Sequence, residues 1–191
     1  MGTEADAKGF RCAGLDARVM AFLFDSIVLL AFLALFGMIA MFQILARSNF
    51  GDTDPSDATY NMAVGIVAAV VPFWLLFNVY LQSRRGQSVG KYIVGIRVAR
   101  SDGKRLNVFN AFWRMIFLDP LLFHPLLAAP WLLLAVVGTM RTANGVVLIA
   151  TVTVVVLSIV AAPVALAAML ADGQRRALHD RISGTLVVSG S

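Results

Sequence analysis

The chain has 191 residues, of which 59% are hydrophobic and only 14% are charged, and its formal net charge is +5. A soluble globular domain carries about 25% charged residues, so this composition indicates an integral membrane protein with one domain. The positive charge is then expected to mark one face of the membrane and gives no support to nucleic-acid binding. The single cysteine, Cys12, excludes an intrachain disulfide and a cysteine metal cluster.

The first predicted element is a membrane-spanning helix over residues 19–46, which follows an N-terminal segment, 1–18. Its 28 residues contain one charge, Asp25, and roughly 20 apolar residues suffice to cross the hydrocarbon core. An ionised carboxylate at that depth costs about 2.5–3.5 kcal/mol on insertion scales. Asp25 is therefore expected to serve a pairing, a pathway or a site, and packing of a protonated carboxyl is the alternative.

Three further apolar segments predict spans over residues 60–82, 115–138 and 145–171. The middle one of these segments, 115–138, holds one carboxylate and three prolines, Asp119, Pro120, Pro125 and Pro130. Each proline removes a backbone donor and obstructs the preceding turn, so this segment is either a kinked span or a re-entrant piece. The sequence thus predicts an all-α membrane protein whose transmembrane domain, 19–171, contains four helices.

Two polar segments complete the predicted organisation. The loop 83–114 is basic, and within it Tyr92–Ala99 is rich in β-branched residues, which predicts a short strand or hairpin. Asn107 is a predicted helix N-cap. The tail 172–191 closes with a second β-prone stretch, and since neither stretch is stable alone, we expect the two to be ordered against each other.

The distribution of Lys and Arg predicts the orientation. Fourteen of these residues lie in the N-terminal segment, the loop 83–114 and the tail, against two in the other connections. The positive-inside rule therefore predicts a multi-pass protein of the cell (inner) membrane with both termini and the basic loop in the cytoplasm. The connection Arg47–Thr59 is expected to face outward. Binding of lipid head groups is the alternative explanation for the basic loop.

The motifs for catalysis and cofactors are weak. Gly86–Lys91 is one residue short of a phosphate-binding loop, and Tyr92 stands where Ser or Thr would bind magnesium. His124 and His179 are interpreted as buried or interfacial side chains, and no Ser/His/Asp or Cys/His set is visible. We therefore predict no enzyme activity, no cofactor and no metal site.

Three ordered motifs resemble the RDD family of small membrane proteins, which is named for one arginine and two aspartates. Arg18 opens the first helix and Asp25 lies in its middle, as in that family. The loop resembles the family's pattern of glycine and basic residues. The matching positions are Gly86, Gly90, Lys91, Gly95, Val98, Gly103 and Arg114. The tail LHDRISGTLVV places the second aspartate at Asp180, and the resemblance extends over about residues 11–188.

The resemblance implies a role in transport, with ion/proton exchange suggested for some members. We interpret Asp25 as the ion- or proton-responsive carboxylate and predict a direct contact with Arg114, which Asp119 could share. Arg18 is expected to cap this pair. The tail residues Asp180, His179 and Arg181 are expected to form a cluster at the cytoplasmic mouth that docks on the basic loop.

The predicted function is therefore transport of a small solute or cation. The alternative is a non-transporting accessory or assembly subunit, because four spans are few for a carrier without paired repeats. The expected partners are the lipid bilayer, a small cation or solute, and either a second copy of the chain or a larger membrane complex.

Overall fold

A computed structural model describes residues 12–101, 106–117, 119–133, 145–173 and 176–189 of the chain. Most of these residues are helical, and two short strands form a small sheet among them. Three stretches in the described ranges are long and apolar enough to cross a membrane, Leu15–Arg47, Asp57–Val94 and Leu148–Ala171. The structure thus supports a mostly helical membrane protein, with three candidate spans where the sequence predicts four.

Helix α1, Leu15–Arg47, is 33 residues long. At 1.5 Å per residue it measures about 50 Å, so it exceeds a hydrocarbon core of about 30 Å and extends beyond both limits of the predicted span 19–46. Its C-cap is Ser48, whose backbone N–H donates to the carbonyl of Ile44. Many of its apolar side chains are exposed, as expected for a surface that faces lipid.

The second predicted span consists of two helices, α2, Asp57–Ala68, and α3, Val70–Arg85. Ser56 caps α2 by accepting a hydrogen bond from the Thr59 N–H at 3.3 Å. The interruption at Ala69 has a local cause. Pro72 has no N–H to donate to the carbonyl four residues earlier, so the helical ladder is incomplete there.

The third predicted span is not a regular helix over its described part. Helix α5, Val108–Ile116, starts at Asn107, whose Oδ1 accepts from the Asn110 N–H at 2.7 Å as an N-cap. The chain then turns at 120–122, forms a single 3₁₀ turn at Pro125–Leu127 and is helical again over 128–133. The prolines explain these breaks. Residues 134–138 of the predicted span lie outside the described residues.

The last long helix is α6, Gly145–Ala171, which contains Pro163 and coincides with the predicted segment 145–171. Two short helices flank the sheet: α4, Val89–Val94, precedes strand β1, Ile96–Arg100, and α7, Leu178–Ile182, precedes strand β2, Thr185–Ser189. The strands pair antiparallel, with Ile96 opposite Ser189 and Arg100 opposite Thr185.

The sheet confirms the expected order of the tail against the loop. Cys12 adds an antiparallel bridge to Val188 on the outer side of β2. The start of α1, the segment after α4 and the tail after α7 therefore meet at one end of the helices, which we call the sheet end. Val98, Leu186 and Val187 are buried there, so the small sheet is held by packing as well as by hydrogen bonds.

The centre of the helical part is organised around Trp74 of α3, which is fully buried. Its ring packs edge-on against Phe32 of α1 with a centroid distance of 5.6 Å. Its indole N–H donates to the carbonyl of Leu121. Trp74 thereby joins α1, α3 and the irregular segment after α5, which fixes the position of Asp119 two residues before Leu121.

Candidate functional site

The carboxylate of Asp25 anchors the loop to α1. Asp25 is 1% exposed, and one of its oxygens accepts from the Ser88 hydroxyl at 2.6 Å while the other accepts from the Gly90 N–H at 2.7 Å. Ser88 is also the N-cap of α4 and accepts from the Lys91 N–H at 3.4 Å. We call Asp25, Ser88 and Gly90 the anchor. Its bonds satisfy a buried carboxylate that would otherwise destabilise the fold.

Gly90 makes the anchor possible because it has no side chain. A Cβ atom at this position would collide with the backbone carbonyl oxygen of Ala21, and it would lie 2.9 Å from the Asp25 carboxyl carbon. Glycine therefore allows the backbone of α4 to approach α1 closely enough for the hydrogen bond to Asp25.

The predicted contact between Asp25 and Arg114 is wrong. The Arg114 guanidinium is 1% exposed and donates to Asp180 through Nη2 at 2.8 Å and Nε at 3.1 Å. Its Nη1 donates to the Gln82 amide oxygen at 2.8 Å. Both bonds from Arg114 Nε and Nη2 converge on Asp180 Oδ1, whereas the Asp25 oxygens are already occupied by neutral donors.

Asp180 joins the tail to the rest of the molecule. Besides Arg114, it accepts from Arg18 Nη1 at 3.3 Å, from the Thr185 hydroxyl at 3.3 Å and from the Ala177 N–H at 3.2 Å. Burial alone would raise the pKa of Asp180, but Arg114, His179 and Arg18 outweigh burial and hold that pKa well below its usual range. Asp180 is therefore ionised and shared by two arginines.

Two further titratable side chains lie beside this pair. Asp119 Oδ1 accepts from the Leu121 N–H at 3.0 Å, whereas Oδ2 is 3.7 Å from Arg114 Nη1 and 3.9 Å from His179 Nε2. Burial lowers the pKa of His179 despite the neighbouring Asp119 and Asp180 carboxylates. Asp119 Oδ2 and His179 Nδ1 are both buried without a hydrogen-bond partner among the described residues.

These side chains line one end of a cavity of about 470 Å³ between α1 and α6. The ionisable groups at this end are Arg18, Asp25, Lys91, Arg114, Asp119, His179 and Asp180, which we call the charged cluster. The remaining walls are mainly apolar and include Phe22 and Leu166. An apolar cavity with a few convergent polar groups is the usual form of a small-molecule site.

The model of the RDD family matches residues 12–184, which is most of the chain. The chain belongs to the RDD family. No curated protein and no solved structure matches.

The three residues that correspond to the RDD name do not act as one group. Arg18 and Asp180 bond each other directly, and Arg114 completes their ion pair from α5. Asp25 is bonded to the loop instead. The arginine and the second aspartate therefore hold the RDD tail, whereas the first aspartate holds the RDD loop, and both sets face the same cavity.

The predicted loop motif has separate tasks in the RDD fold. Gly90 permits the close approach described above. Gly95 ends α4 with φ +76°, a conformation that glycine adopts without strain. Lys91 lines the cavity. Gly103 lies outside the described residues.

Arg181 does not join the cluster that was predicted at the mouth. Its Nη2 lies 3.1 Å from Asp172 Oδ1, and its side chain is 44% exposed. His179 and Asp180 are buried, and they pack against Arg18, Arg114 and Asp119 and not against the exposed arginines of the loop. On a five-residue helix, neighbouring side chains point in different directions, so the three residues do not share one surface.

Sequence reasoning did not single out Ser88 or Gln82. Gln82 is fully buried and accepts a hydrogen bond from Arg114. The sequence signal that could have identified it is a polar amide near the end of a long uncharged run. Ser88 gave a local N-cap signal, but its contact with Asp25, 63 residues away, could not be read from the sequence. No group of three or more His, Cys, Asp or Glu that could hold a metal ion occurs in the described parts of the chain.

Proposed function

We propose that this RDD protein transports a small solute or cation across the membrane and couples that movement to protons. The observation that carries the proposal is the cavity between α1 and α6 with titratable side chains at one end. Ionisable residues kept inside a membrane protein at a cost in free energy are commonly part of an ion pathway or proton relay.

The strongest candidates for proton binding are Asp119 and His179. They are neighbours, and each has a buried atom without a hydrogen-bond partner among the described residues, Asp119 Oδ2 and His179 Nδ1. A proton or cation that enters the cavity can satisfy these atoms without breaking an existing bond. Asp25, the carboxylate that the sequence favoured, has both oxygens occupied by the anchor, so its protonation would have to loosen the loop.

The contacts at the sheet end favour four crossings. Arg18 at the start of α1 contacts Met169 near the end of α6 at 3.4 Å, and α4 and β1 are at the same end. If α1, the α2–α3 pair and α6 each cross the membrane, the chain has to cross once more between β1 and α6. The segment 115–138 is the candidate for this crossing, in an irregular form that protein contacts rather than lipid must satisfy.

We propose that the sheet end is cytoplasmic, and the supporting observation is that the loop and tail that form it carry most of the Lys and Arg. We expect a Ser56→Cys variant, made on a Cys12→Ser background, to react with a membrane-impermeant maleimide on intact cells. Wild-type Cys12 should react only after the membrane is permeabilised with detergent. Labelling of Cys12 but not of residue 56 on intact cells would reverse the orientation.

Proton movement in reconstituted vesicles tests the transport itself. We expect vesicles that contain the protein and a trapped pH-sensitive dye to change internal pH when a Na⁺ or K⁺ gradient is imposed. Asp119→Asn should lose most of this response, because asparagine keeps an oxygen for the Leu121 N–H but cannot take up a proton. Asp25→Asn should show whether the anchor carboxylate also has to be charged.

Asp172→Asn is the matched control for these variants. Asp172 is a carboxylate of the same face that pairs with Arg176 and Arg181 outside the cavity, so its removal should leave the response unchanged. An internal pH that ignores both cation gradients in wild-type vesicles would count against cation/proton exchange.

The alternative is a membrane scaffold, and one observation favours it. Arg18, Arg114 and Asp180 are tied to each other, as in a static structural network. In that case the protein should leave the membrane in mild detergent with a larger complex, and wild type and Asp119→Asn should retain that complex equally without any flux in vesicles.

A further inference from the structure

The cavity between α1 and α6 reaches the outer surface of the helices. Its apolar walls include Val19, Phe22 and Leu23 from α1 and Ala162, Pro163 and Leu166 from α6. Val19 and Leu23 are 42% and 50% exposed, so the walls continue into the surface that lipid covers. A gap of this kind inside a bilayer forfeits dispersion contacts unless an apolar group fills it.

Two cationic side chains at the charged end have donor groups without a hydrogen-bond partner among the described residues. Lys91 lines the cavity, and its ammonium makes neither a hydrogen bond nor a direct ion pair with the described residues. Arg18 Nε is buried without a hydrogen-bond partner there as well. Since leaving a buried donor unsatisfied costs free energy, Arg18 Nε points to an acceptor in the cavity, and the Lys91 ammonium in the same lining favours an anionic one.

The same end also offers an acceptor. Asp119 Oδ2 lacks a hydrogen-bond partner within the described part of the chain. The formal charges that line the cavity balance, with three cations and three carboxylates: Arg18, Lys91, Arg114, Asp25, Asp119 and Asp180. A ligand that carries both signs satisfies the free donors and the free acceptor and leaves this balance unchanged, whereas a purely anionic ligand adds an uncompensated charge.

We propose that the cavity binds a phospholipid whose head group carries a phosphate and a primary ammonium, as in phosphatidylethanolamine. One acyl chain lies against the apolar walls of α1 and α6. The phosphate accepts from Lys91 and Arg18, and the ammonium donates to Asp119. Basic pockets between membrane helices bind anionic head groups, and the carboxylates in this cavity add acceptors for an ammonium. This inference does not depend on transport, because a scaffold would bind the lipid equally; in a transporter the lipid ammonium and the transported proton or cation compete for Asp119 Oδ2.

Lipid titration of the detergent-solubilised protein, followed by native mass spectrometry, tests the proposal. We expect phosphatidylethanolamine to bind about tenfold more tightly than phosphatidylcholine of the same acyl chains, because the trimethylated ammonium of choline has no N–H to donate to Asp119. Phosphatidylglycerol should also bind more weakly than phosphatidylethanolamine. Glycerophosphoethanolamine, which has the head group without acyl chains, should not compete.

Three variants and one control separate the parts of the site. Asp119→Asn should bring the affinities for phosphatidylethanolamine and phosphatidylcholine to within about twofold of each other. Lys91→Met should weaken both lipids about tenfold. Ala162→Phe, which fills the apolar wall and touches no charge, should also weaken both. Arg85→Gln removes an exposed cation that is not part of the cavity lining and should change neither affinity.

The wild-type lipid series alone can overturn the proposal even if a variant fails to fold. Equal affinity for phosphatidylethanolamine and phosphatidylcholine would show that the ammonium does not donate to Asp119. Preference for phosphatidylglycerol would show that the site binds anionic lipids instead. Competition by glycerophosphoethanolamine at equal concentration would identify a soluble zwitterion as the ligand. A preference that persists in Asp119→Asn would also contradict the proposed geometry.

Discussion

Replacement of Asp180 by asparagine is expected to destabilise the protein by about 3–5 kcal/mol, the usual cost of breaking a buried ion pair. The change leaves Arg114 and Arg18 buried without their shared carboxylate. It also weakens the bonds that hold Thr185 and the Ala177 N–H, so β2 should detach from β1. Chemical unfolding in detergent micelles, monitored by circular dichroism, gives the free energy of unfolding.

The double variant Asp180→Asn, Arg114→Gln isolates the interaction. Its loss of stability should be smaller than the sum of the single losses by about 1–3 kcal/mol, because it no longer strands Arg114. Asp172→Asn is the control carboxylate. Its ion pairs involve partly exposed arginines and are worth about 1 kcal/mol or less. Additive losses in the double variant would show that Arg114 and Asp180 do not act as a pair.

Replacement of Gly90 by alanine should have an effect of similar size, about 3 kcal/mol. The added Cβ collides with the Ala21 carbonyl, which belongs to a helix backbone and cannot move aside as a flexible side chain would. Helix α4 must then retreat from α1, and Asp25 loses its bonds to Ser88 and Gly90. The same unfolding measurement applies, and hydrogen exchange at residues 89–94 should accelerate.

Gly37→Ala is the matched control within α1. A Cβ at Gly37 meets no atom of the described residues within 4 Å, and alanine is favoured over glycine in a helix interior by about 0.5–1 kcal/mol. Its stability should therefore equal or exceed that of the wild type. If Gly90→Ala is as stable as Gly37→Ala, the close approach of α4 to α1 is not what holds the anchor.

The candidate site could be predicted in part. The cost of a charge inside an apolar run identified Asp25 as a residue with a necessary partner, and the family resemblance identified Arg18 and Asp180. The predicted partner of Asp25, Arg114, was wrong because we expected its long guanidinium to reach the carboxylate. A hydroxyl and a backbone N–H occupy it instead, and backbone donors leave no side-chain signal in a sequence.

The third predicted span shows a second limit. Hydropathy over 115–138 predicted a crossing, and the three prolines indicated that it would be irregular. The prolines leave some backbone carbonyls without a helical N–H donor. Which group bonds these carbonyls depends on tertiary neighbours, such as Trp74, which donates to the carbonyl of Leu121. The break at Ala69 could have been inferred from Pro72 but was not.

The sequence by itself determined that the chain is a membrane protein. It also determined where the long helices and the short β-prone stretches lie. Hydrophobic length, helix periodicity and strand propensity are local properties that a run of 5 to 30 residues contains. Only the tertiary structure decided which charge meets which. Arg114 lies 66 residues from Asp180, and Asp25 lies 65 from Gly90. Pairing at such separations follows from how the helices pack. The sequence offers several possible partners for each charge, and only the packing brings one of them within hydrogen-bond distance.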